Sequence, residues 1–279
     1  MTIIHWKDLC TSEAALFPQG SAISIGGFDG PHSGHGLIFS KVLAAAASKQ
    51  IPAGIVTFMR SPRVQKAGQF YAGDVSTLRF RLNQIASYGF SFVVLIDFSE
   101  DFAKMSGTVF FDVLMRTICI KYLAVGSDFT CGYRRDTGIK DLECLAAQKG
   151  FCFDSIEQLC LTKGIRISSS AIRNAVVNAD FTLAKDFLGY SFSLDVLEIP
   201  QRYHDGIFSI EKSSIRQILP KNGLYSVMVF TQQKQYMPAQ IQIGDSLLNI
   251  RLLYTTAVQS HTLSGEGIVL DSLVFTQKE

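Results

Sequence analysis

Residues 21–35 read SAISIGGFDGPHSGH: a serine/apolar alternation that breaks into four glycines and two histidines. The first five residues carry the two-residue period of a strand, and residues 36–49, GLIFSKVLAAAASK, have the composition of a helix. A strand that enters a helix through a glycine-rich turn is the opening unit of a parallel sheet, and the alternation continues downstream. Further strands are expected at 53–59, 90–97 and 122–126, with helices at 34–49, 76–87, 106–120 and 138–149. The spacing predicts an α/β domain with a parallel sheet, whose ligands bind outside the carboxyl ends of the strands. That puts the glycine-histidine turn at the ligand edge.

Taken alone, the turn admits three readings. Histidines three apart at a helix start can bind a metal, but His5, His204 and His261 have no evident reason to converge on His32 and His35. The glycines could simply make a tight strand-to-helix turn. The reading with more chemistry is an anion cradle. Gly26, Gly27, Gly30 and Gly34 let the backbone approach closely, and a helix opening at Ser33 or Gly34 aims unpaired N–H groups at an anion. A second stretch, GIRISSSAIRNAV at 164–176, reads as another such helix start, with Ser168, Ser169 and Ser170 ahead of Arg173. Its bland alternative is a plain serine cap beside a solvated arginine.

Composition bounds the partners. Of 279 residues, 47% are hydrophobic and 18% charged, enough to build a substantial core. With 26 Lys+Arg against 24 Asp+Glu, the net charge of +2 does not suggest a nucleic-acid partner. No apolar run is long enough for a membrane span, and MTIIHWKDLC does not look like a leader, so a cytoplasmic protein without a membrane partner is expected. Six cysteines without a C-x-x-C pair read as reduced thiols rather than zinc ligands. After Gly189 the texture changes to short β-rich runs separated by Gly, Pro, Asn and Gln, which predicts a small antiparallel β-barrel over 189–279.

The motifs, taken in order, resemble a known family. The turn matches G-x-FDG-x-H-x-GH; it is followed by TFMRSP at 57–62, DFSEDFAKMSGTVFFDVL at 97–114, VGSDFTCGYRRDTG at 125–138 and ISSSAIRNAVVNADFTLAKDFLG at 167–189. This order is similar to that of the adenylyltransferase module in the bacterial bifunctional riboflavin kinase/FMN adenylyltransferases, the FAD synthetases, within the HIGH-type nucleotidylyltransferases. The resemblance implies a Rossmann-like nucleotidylyltransferase domain at 1–188, followed by a truncated riboflavin-kinase-like barrel at 189–279. It implies transfer of an adenylyl group from ATP to FMN, with Mg2+ accompanying the nucleotide and no resident protein metal site. By motif position His32 and His35 would contact the ATP phosphates, with Gly27, Phe28, Asp29, Gly30 and Gly34 shaping the nucleotide turn. Ser168, Ser169, Ser170 and Arg173 would hold the β- and γ-phosphates, and Asp128, Phe129 and Pro62 would line the substrate pocket.

The departures are local. Ser61 stands where the family has a histidine and Arg60 where it has a proline, which leaves Arg60 and Arg63 as candidate phosphate contacts or a solvated loop. Pro31 and Ser33 replace apolar residues in the first motif. The kinase signature P-T-A-N is missing from 189–222, and aligning LLNIRLL with the family's E-V-H-L-L puts Asn249 where the carboxylate base belongs. An amide is no general base, so kinase activity is expected to be absent. The alternatives are a bifunctional enzyme that keeps its kinase, transfer to another phosphate acceptor, and a non-catalytic flavin- or nucleotide-binding protein. The oligomeric state is not legible.

Overall fold

The computed structural model describes residues 1–60, 72–157, 164–253 and 268–276. Its chain divides into two compact units, Met1–Tyr71 with Arg81–Arg166, and Ala72–Phe80 with Ile167–Glu279.

The first unit is built on a parallel sheet. Its strands are β1 (Thr2–His5), β2 (Ser21–Ile25), β3 (Ala53–Phe58), β4 (Phe92–Ile96), β5 (Ile120–Gly126) and β6 (Cys152–Ile156), in the spatial order β1-β4-β3-β2-β5-β6. Between them run α1 (Trp6–Thr11), α2 (Ser33–Lys49), α3 (Leu78–Ser87), α4 (Glu100–Ala103), α5 (Gly107–Ile118) and α6 (Ile139–Lys149); the first three residues of α3 belong to the second unit. All five residues of β2 and of β4 are buried, as expected for central strands of a parallel sheet covered by helices. One continuous apolar core joins Trp6, Ile23, Val56, Phe92, Phe110, Leu114, Leu123 and Leu142.

The strand order fixes where a ligand can sit. From β2 the chain builds outward through β3 to β4, then returns to the other side of β2 with β5 and β6. The direction reverses between β2 and β5, which pair directly as parallel neighbours. Loops leaving the carboxyl ends of two such strands diverge and open a crevice at this switch point. The first-motif turn follows β2, and Asp128 and Phe129 follow β5.

The second unit carries α7 (Ser169–Val177) and α8 (Phe181–Leu188), then strands β7 (Ser193–Asp195), β8 (Arg202–His204), β9 (Ile207–Glu211), β10 (Gly223–Thr231), β11 (Tyr236–Ile243), β12 (Leu247–Leu252) and β13 (Leu270–Phe275). They form an antiparallel sheet in the order β7-β13-β10-β11-β12-β9-β8, a curled half-barrel. Alternate residues of β10 and β11 are buried, the pattern of a sheet with one face on a core. Phe181 from α8 lies against Tyr225 and Phe275 in that core. Residues 72–80 join this unit through Gln217, whose side-chain amide donates to the carbonyls of Val75 and Ser193 while its oxygen accepts the Asp195 N–H.

The α/β reading followed by a small antiparallel β domain therefore holds. The expected strands and helices are present with ends shifted by a few residues, but β1, α1, α4, β6, α8, β8 and β9 were not anticipated. These are short elements, and β6 (CFDSI) mixes exposed and half-buried positions, which leaves little period to detect. The compact units also part at 166/167, ahead of α7 and α8, whereas the change in sequence texture falls at Gly189.

Candidate nucleotide site

The turn after β2 is shaped by its backbone. The Gly26 N–H makes a last bond to the Val56 carbonyl, and the chain then leaves the sheet. Phe28 adopts a left-handed conformation (φ 45°), rare for a residue with a side chain, and Gly30 adopts another (φ 62°). The unusual Phe28 backbone delivers its ring into the protein, where it is buried and meets His35 edge-on at 5.0 Å. Strain of this kind concentrates at functional loops.

The turn ends in a histidine pair. His32 is the N-cap of α2, and its N–H donates to His35 Nδ1 at 3.3 Å while the His35 N–H donates to the His32 carbonyl at 2.8 Å. The two imidazoles stack with centroids 3.7 Å apart and planes 18° from parallel. Because His35 Nδ1 is an acceptor, the neutral ring carries its proton on Nε2. His32 is buried, and its Nδ1 has no hydrogen-bond partner among the described residues. Burial pushes the His32 pKa down to about 4 and holds His35 well below its ordinary value, where the neighbouring His32 charge also opposes protonation. Both rings are neutral near pH 7. The arrangement is two neutral imidazoles at a helix N-terminus, with one buried nitrogen unsatisfied among the described residues.

A residue that the sequence reading did not single out supports this turn. Arg81, on α3, is only 4% exposed; Nη1 donates to the Gly27 carbonyl at 3.0 Å and Nη2 to the Met59 carbonyl at 3.2 Å. Thr57 Oγ1 donates to the same Gly27 carbonyl at 3.1 Å. The available signal was helical period: Arg81 lies four residues before Ile85, the other buried residue of α3, so an arginine occupies the core-facing stripe.

After β5, Phe129 packs against the main core, whereas Asp128 is exposed and ion-paired with Arg166 at 2.9 Å. The loop that follows is pinned by Asp136, whose Oδ1 accepts from the Gly107 N–H at 3.0 Å and from Thr137 Oγ1 at 2.9 Å.

In the second unit, Ser168 caps α7, its Oγ accepting the Ala171 N–H at 3.2 Å; Ser169 and Ser170 are the first two helical residues. Arg173 is 9% exposed, and its Nε donates to the Gly73 carbonyl at 2.8 Å. The alternative of a solvated arginine is thus overturned. Gly27, Phe28, Asp29, Gly30, His32, Gly34 and His35 accordingly share one turn, Asp128 and Phe129 the loop after the adjacent strand, and Ser168, Ser169, Ser170 and Arg173 one helix start in the other unit. Pro62, with Ser61 and Arg63, lies outside the described residues. On β12, Asn249 faces Ser209 of β9 and accepts from its hydroxyl at 2.8 Å. Among the described residues no three His, Cys, Asp or Glu side chains converge to hold a metal, and no helix is long and apolar enough to cross a membrane.

The FAD synthetase family model matches residues 15–171. The bifunctional riboflavin kinase/FMN adenylyltransferase of Escherichia coli strain K12 is 27% identical over 230 residues, covering 81% of this chain and 73% of that protein. Its Haemophilus influenzae counterpart is 28% identical over 215 residues, covering 76% and 70%. Among solved structures, a macrolide-efflux protein from Streptococcus pneumoniae superposes with a TM-score of 0.79 at 21% identity, covering all of this chain and 91% of that one, a likeness of fold. With the family model spanning more than half of its length, and the turn after β2 falling inside that span, the chain belongs to the FAD synthetase family and is a nucleotidyltransferase.

Proposed function

We propose that the chain is an FMN adenylyltransferase that takes MgATP and FMN to FAD and pyrophosphate. In this reading the FMN phosphate attacks the α-phosphorus in line, an FMN-oxygen-to-phosphorus bond forms, and the bond to the pyrophosphate oxygen breaks. No covalent protein intermediate is needed; the protein positions both substrates and stabilises the charge that grows on the leaving group. The observation that carries the reading is the stacked, neutral His32–His35 pair at the start of α2. His35 would donate from Nε2, and His32 from a ring whose burial keeps it uncharged in the free protein; each finds its strongest acceptor in a phosphate oxygen as negative charge develops. Gly27, Gly34 and the amides of the α2 first turn would receive the same phosphates. Ser168, Ser169, Ser170 and the buried Arg173 would bind the β- and γ-phosphates from α7. Phe28, Asp29 and Gly30 would shape the adenosine end, with Asp128, Phe129 and Pro62 lining the pocket. Mg2+ comes as part of MgATP, where it neutralises phosphate charge. Residues 1–188 would supply this activity.

We also propose that residues 189–279, the kinase-like half-barrel, lack riboflavin kinase activity. Asn249 offers an amide where a carboxylate base is required, and that amide already accepts from Ser209. One assay tests both parts: the protein is incubated with MgATP and, separately, FMN, riboflavin or other phosphate acceptors. FAD from FMN and no FMN from riboflavin are expected; nucleotide binding without any product would sink the transferase reading, and FMN formation would sink the second part. His35→Ala should fold normally by circular dichroism and lose about 10²–10³-fold in turnover.

A further inference from the structure

From the contacts of Arg81 we infer a positioning residue for adenylyl transfer, one that sets the ATP-phosphate turn and the acceptor-side segment with a single guanidinium. The inference rests on the FMN adenylyltransferase reading. Gly27 lies two residues beyond β2 and opens the histidine turn; Met59 lies one residue beyond β3 and opens the stretch leading to Pro62, which this reading gives to the FMN acceptor. Both are at the carboxyl ends of strands that pair in parallel, Ile25 with Val56. Past that pair the strands separate, and the Gly27 and Met59 carbonyls each accept one arm of the Arg81 fork, at 3.0 and 3.2 Å. A guanidinium presents several N–H groups in one rigid plane, so fixing one carbonyl fixes the direction of the other; a lysine ammonium is a single point on a flexible stem.

The consequence passes along bonded and packed neighbours on both sides. Gly27 precedes Phe28, whose left-handed backbone sets its ring edge-on to His35, and His35 in turn stacks on His32. Thr57 lies within β3, where it pairs with Leu95, and its hydroxyl bonds the Gly27 carbonyl and not the chain beyond the strand. Arg81 therefore controls both substrates and Thr57 one, a difference that a merely stabilising pair of side chains would not produce.

The test compares the full-length protein with Arg81→Lys and Thr57→Val, reading the KM for ATP and for FMN separately, kcat, the affinity for each substrate by titration calorimetry, and thermal midpoints. Arg81→Lys is expected to raise both KM values and lower kcat/KM about 10–100-fold, the scale of a misplaced reacting group. Thr57→Val is expected to raise the KM for ATP alone. Unchanged kinetics in Arg81→Lys, or an effect confined to its thermal midpoint, overturns the inference. Should Arg81→Lys not fold, equal shifts for ATP and FMN in Thr57→Val overturn it instead. If the unaltered protein binds both substrates but forms no FAD, the transferase reading fails, and the calorimetric comparison still decides the role of Arg81. Failure of the unaltered protein to bind either substrate overturns both.

Discussion

At the scale of single residues, the two histidines are held uncharged by burial, and that has a measurable signature. His32 in the folded protein titrates at about 4, against an ordinary value of 6.5. Above pH 6.5 the ring is neutral whether folded or unfolded and contributes no pH dependence. Between 6.5 and about 4 the unfolded chain binds a proton that the folded chain refuses, so stability falls as the pH is lowered through that window, by up to about 3 kcal/mol in total. His35, also held low, acts in the same direction. His32→Gln should flatten the decline of thermal midpoint between pH 6.5 and 4.5; an unchanged slope would show that His32 is not held neutral. The pair was legible in sequence because its spacing and glycines are visible in one line of text. Arg81 was not, since its importance lies in two carbonyl oxygens 22 and 54 residues away in the chain.

At the scale of elements, β2 was readable from its serine/apolar alternation and β3, β4 and β5 from their runs of β-branched and aromatic residues, and the helices between them announce their starts with residues such as Ser106 and Gly138. Edge elements such as β6 and β8 take their shape from pairing rather than from their own period, so local pattern did not reveal them. The start of α7 gives Ser168 a structural role beside the phosphate contact proposed for all three serines. Ser168 spends its oxygen as acceptor on the Ala171 N–H, a structural cap, while Ser169 and Ser170 sit inside the helix. Ser168→Ala should therefore cost about 1 kcal/mol of stability. Ser169→Ala should raise the KM for ATP more than Ser168→Ala does. The opposite order of KM effects would overturn this division of labour.

At the scale of the whole molecule, the chain changes texture once but changes compact unit three times, at 71/72, 80/81 and 166/167. Texture is a local property of sequence, whereas the residues that hold 72–80 in the second unit are far away in the chain. Arg79 pairs with Asp195 and Asp271, 116 and 192 residues distant, and Thr77 adds a hydroxyl to Asp195. The two carboxylates are 8% and 14% exposed, so the guanidinium is what makes their burial tolerable. Removing it leaves two nearly buried charges facing each other. Since Arg79 itself is 30% exposed, the loss on Arg79→Met is discounted from that of a fully buried pair to about 2 kcal/mol, measured as a lower urea midpoint for the second unit. Asp271→Asn in the same background removes one of the stranded charges and should recover part of the loss, whereas in the unaltered protein it breaks a good ion pair and should destabilise. The sign of the Asp271→Asn effect is thus expected to invert with Arg79 present or absent. Independent, additive losses would mean that the network does not anchor residues 72–80, and that the loop is held by Gln217 and the Asp74 backbone bonds to Arg216 and Ile218.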